Sequence, residues 1–442
     1  MNVIHQFNQL VERGEAAFYE GKVDEFETAT RLSAKIIRNL ADAGYANAAL
    51  QLEPLWYTRL VKVVENEARY HRCFAWHKHA LWAAGRKHAR ALSGGRIRTR
   101  VAFLVPSGVL LGHTEVLLRV LANWKEAGMD IHPVLASLGG MQPGFAERLN
   151  AAGIPSVVAS PNLDLVGRVA WLADVLAAQR VQTAVWVSYP CWVAYVFGVG
   201  VAPRQVMWSL KYHPVHMGET VTHIAMTSEG TGTVSINGEP WVAYSPPLGV
   251  ISSAVDEREV EALRARWAGK VLVGTLARHE KFNSPDFIRA VIEILRVSPR
   301  AHYLYTGHLP SRPLVDALQT SGLSDRATFI GWVDTNLYAR VLDVFLESFP
   351  FGCGVTGMQA LSAGTPLVSL RAEDTLPKFY GEIADTAPSD LWRIVGSTDE
   401  YVMAGSQMIS AAQHRGRRRD SRGIDLVEID RRRSLRLLDI LL

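Results

Sequence analysis

Between Glu347 and Ser369 the chain reads ESFPFGCGVTGMQALSAGTPLVS. A strand is expected to end near Ser348. A loop bearing Gly352, Gly354 and Gly357 follows, and a helix is expected over Met358–Ser362. Glycine lets the backbone approach a bound anion, and the free N–H groups of a helix start point at it. The combination suits a diphosphate; the alternative is a tight strand-to-helix turn with no ligand. Its spacing matches neither the P-loop nor the dinucleotide fingerprint, which argues against an ATPase or a dehydrogenase. His71, Cys73, His77 and His79 form a second group. On one helix Cys73 and His77 share a face while His79 points elsewhere, so four metal ligands do not converge. A partly buried, histidine-rich helix is the preferred reading there.

The elements that must carry these residues follow a rhythm. Residues 1 to about 95 read as helical, with apolar positions at three- and four-residue spacing such as Phe7, Leu10, Val11 and Phe18. Gly21 is the expected turn of a helix-turn-helix over Gly14–Ala29, with no second copy at a matching period. After the linker Ser93-Gly94-Gly95-Arg96, apolar strands alternate with amphipathic helices: strands over Arg100–Pro106, Ile131–Ser137 and Ile154–Ser160, helices over Glu115–Ala127 and Pro143–Gly153. The alternation restarts near Lys270. This predicts an α/β protein with two tandem Rossmann-like domains, a cleft between them and an all-helical N-terminal appendage. The expected divisions are 1–95 (appendage), 96–250 (first Rossmann-like domain), 251–412 (second) and 413–442 (basic tail). Ligands in such sheets sit beyond the carboxyl ends of the strands.

Composition narrows the class. The 442 residues are 48% hydrophobic and 20% charged, which excludes a disordered polymer and a small disulfide scaffold. Cys73, Cys191 and Cys353 are too few and scattered for a disulfide framework, so a reducing, cytoplasmic compartment is expected. The formal charge of +4 resides in the tail, where 9 Arg face 5 Asp/Glu from His414 onward. A neutral body lacks the electrostatic footprint of a nucleic-acid binder. Val181–Pro203 is long enough to span a membrane. Ser188-Tyr189-Pro190 interrupts it, so a strand, a turn and a short buried helix are preferred. The tail is expected to form an amphipathic helix with Leu426, Ile429, Leu437 and Ile440 on one side, docked on the body in preference to an acidic membrane surface.

The Phe349-Pro350-Phe351-Gly352 turn and the loop around it resemble the donor loop of glycosyltransferase family 41, the relatives of protein O-GlcNAc transferase and of the cytoplasmic adhesin N-glucosyltransferases. The segment APRQVMWSLKYHP (Ala202–Pro214) resembles the family's Ala-Pro-x-Gln-x-x-Trp-x-Gly-x-Pro, with Lys211 at or near the family glycine. Gly112-His113, after the first strand, is the third match. The resemblance spans roughly residues 98–410 and implies a GT-B fold. It also implies an inverting, metal-independent transfer of a hexose or N-acetylhexosamine from a UDP-sugar to a protein side chain, with no resident cofactor.

The same resemblance implies roles for particular residues. Lys281 contacts the donor diphosphate, where an ammonium would neutralise charge on the leaving UDP, and Arg278 shares that work. Gly354, Thr356 and Gly357 offer a hydroxyl and backbone N–H groups to the phosphates. Gln359 stands where the family has an acidic ribose-binding residue. Backbone groups near Trp332 and Val333 hold the uracil edge. On the acceptor side, His113 positions the acceptor or takes its proton, imidazole being the usual proton acceptor near neutral pH. A cap-region histidine bonded to a loop is its plain alternative. Lys211, His213 and His216 are expected to line the acceptor cleft. No two aspartates are two residues apart, so the metal-holding Asp-x-Asp pair is missing and no metal is expected. A saccharide or lipid-linked acceptor, a sugar-nucleotide epimerase and a catalytically silent binding module remain as alternatives.

Overall fold

A computed structural model describes residues 3–20, 22–61, 64, 66–89, 95–187, 189–210, 213–227, 232–247, 255–370, 383, 387–415, 424 and 426–442. Gly21, Ser93, Gly94, Ser188, Lys211 and the tail's Arg-rich segment 416–423 lie outside the described residues. The chain divides into two compact units, Met1–Pro247 with Asp430–Leu442, and Leu248–Ile429.

The first unit opens with five helices, α1 (Val3–Tyr19), α2 (Val23–Asp42), α3 (Ala46–Arg59), α4 (Glu67–Ala75) and α5 (Lys78–Arg86). An alternating stretch follows: β1 (Ile97–Val105), α6 (Gly112–Glu126), β2 (His132–Ser137), α7 (Pro143–Ala152), β3 (Ser156–Val158), α8 (Leu165–Ala178), β4 (Val181–Val187), α9 (Val193–Val199), β5 (Arg204–Ser209) and β6 (Val221–Met226). β7 (Thr233–Ile236) and β8 (Glu239–Tyr244) close the sheet, whose order is β3-β2-β1-β4-β5-β6-β8-β7. All neighbours are parallel except the β7–β8 hairpin. That hairpin turns at Asn237-Gly238, both at positive φ (51° and 84°). Asn-Gly is the sequence signal for such a turn, and the reading above passed over it.

Strand alternation assigns the two faces of this sheet. Ala102 and Leu104 of β1 join the core that also contains Phe7, Leu50, Trp56 and Leu81 of the helices. Val101, Phe103 and Val105 face the opposite core, with Leu117 and Trp124 of α6. The helices expected as an appendage over 1–95 therefore supply nearly half of the core on one face of this sheet. The expected boundary near residue 95 separates no compact units. Small residues permit the closest approach. A Cβ on Gly198 of α9 would lie 2.3 Å from Trp82 O and 3.1 Å from Gly85 Cα of α5. Both obstacles are backbone, so no rotamer relieves the clash. Gly198→Ala is expected to cost at least about 3 kcal/mol. A thermal melt checks this against Gly144→Ala, whose new methyl would meet only Leu110 Cδ1 at 3.7 Å.

The Val181–Pro203 stretch resolves into β4, a loop and the buried seven-residue α9. Among the described residues no helix is long and apolar enough to cross a membrane.

The second unit holds α10 (Glu257–Ala265), β9 (Val271–Thr275), a 3-10 turn (His279–Phe282), α11 (Pro285–Val297), β10 (Ala301–Tyr305), α12 (Arg312–Thr320), β11 (Ala327–Phe329) and α13 (Thr335–Val341). It continues through β12 (Val344–Leu346), α14 (Val355–Ser362), β13 (Leu367–Leu370), β14 (Trp392–Val395) and α15 (Thr398–Arg415). The sheet order is β11-β10-β9-β12-β13-β14, parallel throughout. Caps read from sequence start several of its helices. Ser284 accepts from Phe287 N with Pro285 next in the chain, and Asp334 accepts from Asn336 N at 2.9 Å.

The chain then returns to the first unit with the last helix, α16 (Val427–Leu441). Leu437, Leu438 and Leu441 enter the core beside α6, while Ile440 only packs against it and Leu426 belongs to the second unit's core. Trp124 Nε1 donates to Ser434 O at 2.6 Å, and Arg204 Nη1 caps Leu441 O at 2.7 Å. The C-terminal part of the expected tail is thus a docked structural helix.

Candidate functional site

Each sheet reverses its strand order once, between β1 and β4 in the first unit and between β9 and β12 in the second, and within each unit the loops after these strands flank that unit's own switch point. In the second unit the loop after β9 carries Arg278, exposed, and then the 3-10 turn that lifts Lys281 inward. The half-buried Lys281 ammonium donates to Gly352 O in the loop after β12. Burial lowers its pKa, while Cys353, Glu347 and Glu280 pull it back up and Arg278 lowers it further. The amine and the Gly-rich loop, 71 residues apart in sequence, therefore meet at the switch point.

The loop itself is set by a residue that the sequence reading passed over. Glu347, 2% exposed, follows β12 directly, and its Oε1 accepts from Cys353 N at 2.7 Å and from Gly354 N at 3.4 Å. Tyr401 OH holds the Glu347 carbonyl at 2.8 Å. An acid between a strand and a Gly-rich loop was the available signal. With those two N–H groups taken, Gly354 adopts φ 48°, ψ −102°, and α14 starts at Val355. The helix expected from Met358 thus begins three residues earlier, and Thr356 and Gly357 belong to its first turn. First-turn N–H groups have no intrahelical acceptor and carry partial positive charge. Thr356 departs from its expected role. Its hydroxyl proton goes to Leu276 O at 2.7 Å and its N–H donates to Cys353 O at 3.2 Å, so this residue ties the helix start to the end of β9.

Gln359 lies one turn into α14, 9% exposed, and its Oε1 has no hydrogen-bond partner among the described residues. A buried amide oxygen left unpaired costs about 1–3 kcal/mol, which a ligand hydroxyl would recover. Gln359→Leu is therefore expected to leave the melting temperature unchanged or raised while weakening UDP binding about tenfold; calorimetry with UDP reads the second effect. Trp332 and Val333 lie in the loop after β11. The Trp332 indole, 59% exposed, stacks on His308 from the loop after β10, with centroids 4.1 Å apart and planes within 8°. Gly307 N donates to Gly331 O at 3.2 Å and joins the two loops. The side chains at these strand ends form a flat aromatic step beside the backbone groups that sequence singled out.

In the first unit, His113 is the second residue of α6 and not a residue before it. Thr114 Oγ1, donating to Val109 O at 2.6 Å and accepting from Leu111 N at 2.9 Å, bends the chain into that helix. The His113 ring meets Tyr189, after β4, edge to face at 6.1 Å. Tyr189 hydrogen-bonds Ser107 after β1, and burial raises its pKa, so the phenol is neutral near pH 7. His113, Ser107 and Tyr189 gather at the first unit's switch point.

The other acceptor-side expectations fare differently. Lys211 lies outside the described residues. His213 is fully buried and lines no cleft: it packs on Trp241 at 5.0 Å, and its backbone N–H donates to Glu67 of α4 at 3.0 Å. The helices α4 and α5 cover this edge of the sheet, which sequence could not foresee. His216, partly buried, stacks on His223 at 3.9 Å and borders a hollow of about 240 Å³ with Lys78, His79, Trp82 and Met217. Burial, then the neighbouring His216, lowers the His223 pKa to about 3. Cys73 and His77 are both buried, and His77 Nε2 pairs with Glu53 Oε1 at 3.1 Å. Among the described residues no three His, Cys, Asp or Glu side chains converge as metal ligands.

Comparison with known proteins bears on the fold. Residues 270–383, the stretch holding Lys281 and the Gly-rich loop, match the family profile described as Glycosyl transferases group 1. A curated relative, the alpha-monoglucosyldiacylglycerol synthase of Acholeplasma laidlawii, is 25% identical over 114 residues, 25% of this chain and 28% of that protein's length. A solved mutant O-GlcNAc transferase from Thermobaculum terrenum superposes over 100% of this chain and 94% of its own, with TM-score 0.55 and 15% identity. Anabaena HepE, solved with UDP-glucose, covers 77% of this chain and 99% of its own, with TM-score 0.50 and 14% identity. The fold is GT-B with a helical N-terminal region, and the match to the glycosyltransferase group 1 profile is confined to residues 270–383.

Proposed function

We propose that this glycosyltransferase takes a hexose or N-acetylhexosamine from a UDP-sugar, with inversion and without a metal ion, and places it on a protein side chain. The second unit binds the donor and the first unit the acceptor. The acceptor oxygen or nitrogen forms a bond to the anomeric carbon as the bond from that carbon to the diphosphate oxygen breaks. The electron pair and its negative charge pass to UDP, and the acceptor's proton passes to a base, for which His113 is the candidate. Lys281 and the first turn of α14 stabilise the charge on the leaving group, the electrostatic work a divalent cation does elsewhere.

The observation that carries this reading is the tether from the Lys281 ammonium to Gly352 O, at the mouth of α14 and at the sheet's switch point. The protein acceptor is supported by the superposition of the whole chain, helical region included, on an O-GlcNAc transferase. The diacylglycerol synthase relative favours a second reading, a lipid-linked acceptor. The buried free thiols of Cys73, Cys191 and Cys353 suit a reducing compartment such as the cytoplasm.

Calorimetry with UDP and mass spectrometry of co-expressed proteins and extracted lipids test the proposal together. UDP binding with hexose or N-acetylhexosamine added to Ser, Thr or Asn is expected. Sugar found only on lipid would transfer the assignment to the second reading. No binding at millimolar UDP would overturn the donor site.

A further inference from the structure

Helix α3 turns one face toward the loop that follows β4. Leu50, Glu53 and Tyr57, at i, i+3 and i+7, all touch that loop, as positions on one helical face do. The Trp192 indole donates to Leu50 O at 2.8 Å. The Trp192 backbone N–H donates to Glu53 Oε2 at 2.7 Å, and the Tyr57 ring stacks on Tyr189 at 5.5 Å with planes within 15°. The other Glu53 oxygen accepts from Lys78 Nζ at 2.5 Å and pairs with His77. Lys78 also donates to Pro190 O, so two residues of the helices clasp the loop backbone on either side of Cys191. All of these charged groups are buried: Glu53 is 0% and Lys78 2% exposed. A buried carboxylate and ammonium are kept only where their geometry is fully satisfied.

What the clasp holds is backbone that would not hold itself. Trp192 sits at φ 68°, ψ −17°, a left-handed conformation that a bulky residue rarely adopts and that costs about 1–3 kcal/mol unless its surroundings impose it. The left-handed residue ends the loop and starts α9. It also directs the chain so that Tyr189, three residues earlier, reaches Ser107 and lies edge-on to His113.

We infer that α3 is a working part of the acceptor-side site: Glu53 and Tyr57 are positioning residues that hold Tyr189 against His113. The helical region is then no separable appendage to the transfer reaction, since two of its side chains hold the aromatic neighbour of the candidate base. This rests on the glycosyltransferase reading for its purpose, but its geometry is tested without any sugar.

The experiment uses the full chain and compares Glu53→Gln, Tyr57→Leu and Tyr57→Phe with the wild type. Three quantities are read: hydrogen exchange of the Trp192 amide, the rate at which diethyl pyrocarbonate modifies His113 (resolved by peptide mass spectrometry), and UDP affinity by calorimetry. Glu53→Gln is expected to speed Trp192 exchange about tenfold, by releasing a clasped backbone group to local opening. Tyr57→Leu is expected to raise His113 modification about threefold, because local opening then unseats the Tyr189 ring. Tyr57→Phe keeps the stack and is expected to restore the wild-type rate, which a loss of overall stability would not do. UDP affinity is expected to stay unchanged in all three. Should Glu53→Gln not fold, the two Tyr57 variants decide alone. An unchanged His113 rate in Tyr57→Leu, or no rescue by Tyr57→Phe, overturns the inference. Failure of UDP to bind even the wild type would instead remove the donor reading and leave this geometry standing.

Discussion

Lys281→Ala is expected to slow sugar transfer by about 100- to 1000-fold, equivalent to about 3–4 kcal/mol of transition-state stabilisation, while the protein stays folded. Lys281 is the one ammonium that the second unit brings to the Gly-rich loop among its described residues, and it arrives already tethered to Gly352 O. Because its position is set by the 3-10 turn and the end of β9, no reorganisation is needed when charge develops on the diphosphate. Burial lowers its pKa from the ordinary 10.5. The unfolded chain thus binds this proton more tightly than the folded one, and the native state gains stability as pH rises through that window. Removing the amine is therefore expected to leave the melting temperature unchanged or slightly higher, as when a site trades stability for activity. For the same reason the alkaline limb of the rate profile should fall below pH 10.5, the ammonium being the working form. The rate of UDP release from the sugar nucleotide, measured beside a thermal melt, checks both. A rate within threefold of wild type, with UDP affinity intact, would take Lys281 out of the reaction.

The second large effect is on stability. Glu53→Ala is expected to cost about 3–5 kcal/mol, because it strands the buried Lys78 ammonium and leaves the Trp192 N–H without its acceptor. In a unit of this size each kcal/mol lowers the melting temperature by about 2–4 °C, so a fall of about 10 °C is the expected reading. The pH dependence follows from the pairing. Burial by itself would raise the Glu53 pKa; Lys78 and His77 overcome it and lower the value from 4.5 to about 2. The carboxylate's contribution is complete above the unfolded value and is lost as pH falls from about 4.5 towards 2. Wild type and Glu53→Ala should therefore melt far apart at pH 7 and closer together at pH 3. Equal separation at both values would assign the cost to packing and not to charge.

Much of the fold was legible because it is written in local patterns. The continuous apolar runs of β1, β4 and β9, spaced by amphipathic helices, announce parallel strands buried on both faces. Pro143 and Gly153 bracket α7 as an N-terminal proline and a left-handed C-cap should, with Gly153 at φ 70°. At the candidate site, the glycines and Lys281 were named beforehand from their types and from resemblance. Glu347 was not, because its importance lies in accepting two backbone N–H groups of a loop whose shape no local rule dictates. Thr356 was expected to offer its hydroxyl to a ligand, but the approach of Leu276 O, 80 residues away, claims that proton.

Sequence alone determined the alternation of elements, the two sheets and the glycine-rich character of the loop after β12, because periodicity and glycine act over a few residues. Tertiary structure decided how those pieces are held. It placed α3 and α5 against the β4 loop through a buried carboxylate, sank His213 beneath α4, and docked the last helix beside α6. Such contacts join residues 100 or more positions apart, and their strength comes from mutual burial. Burial is a property of the packed molecule, and no short stretch of chain carries it.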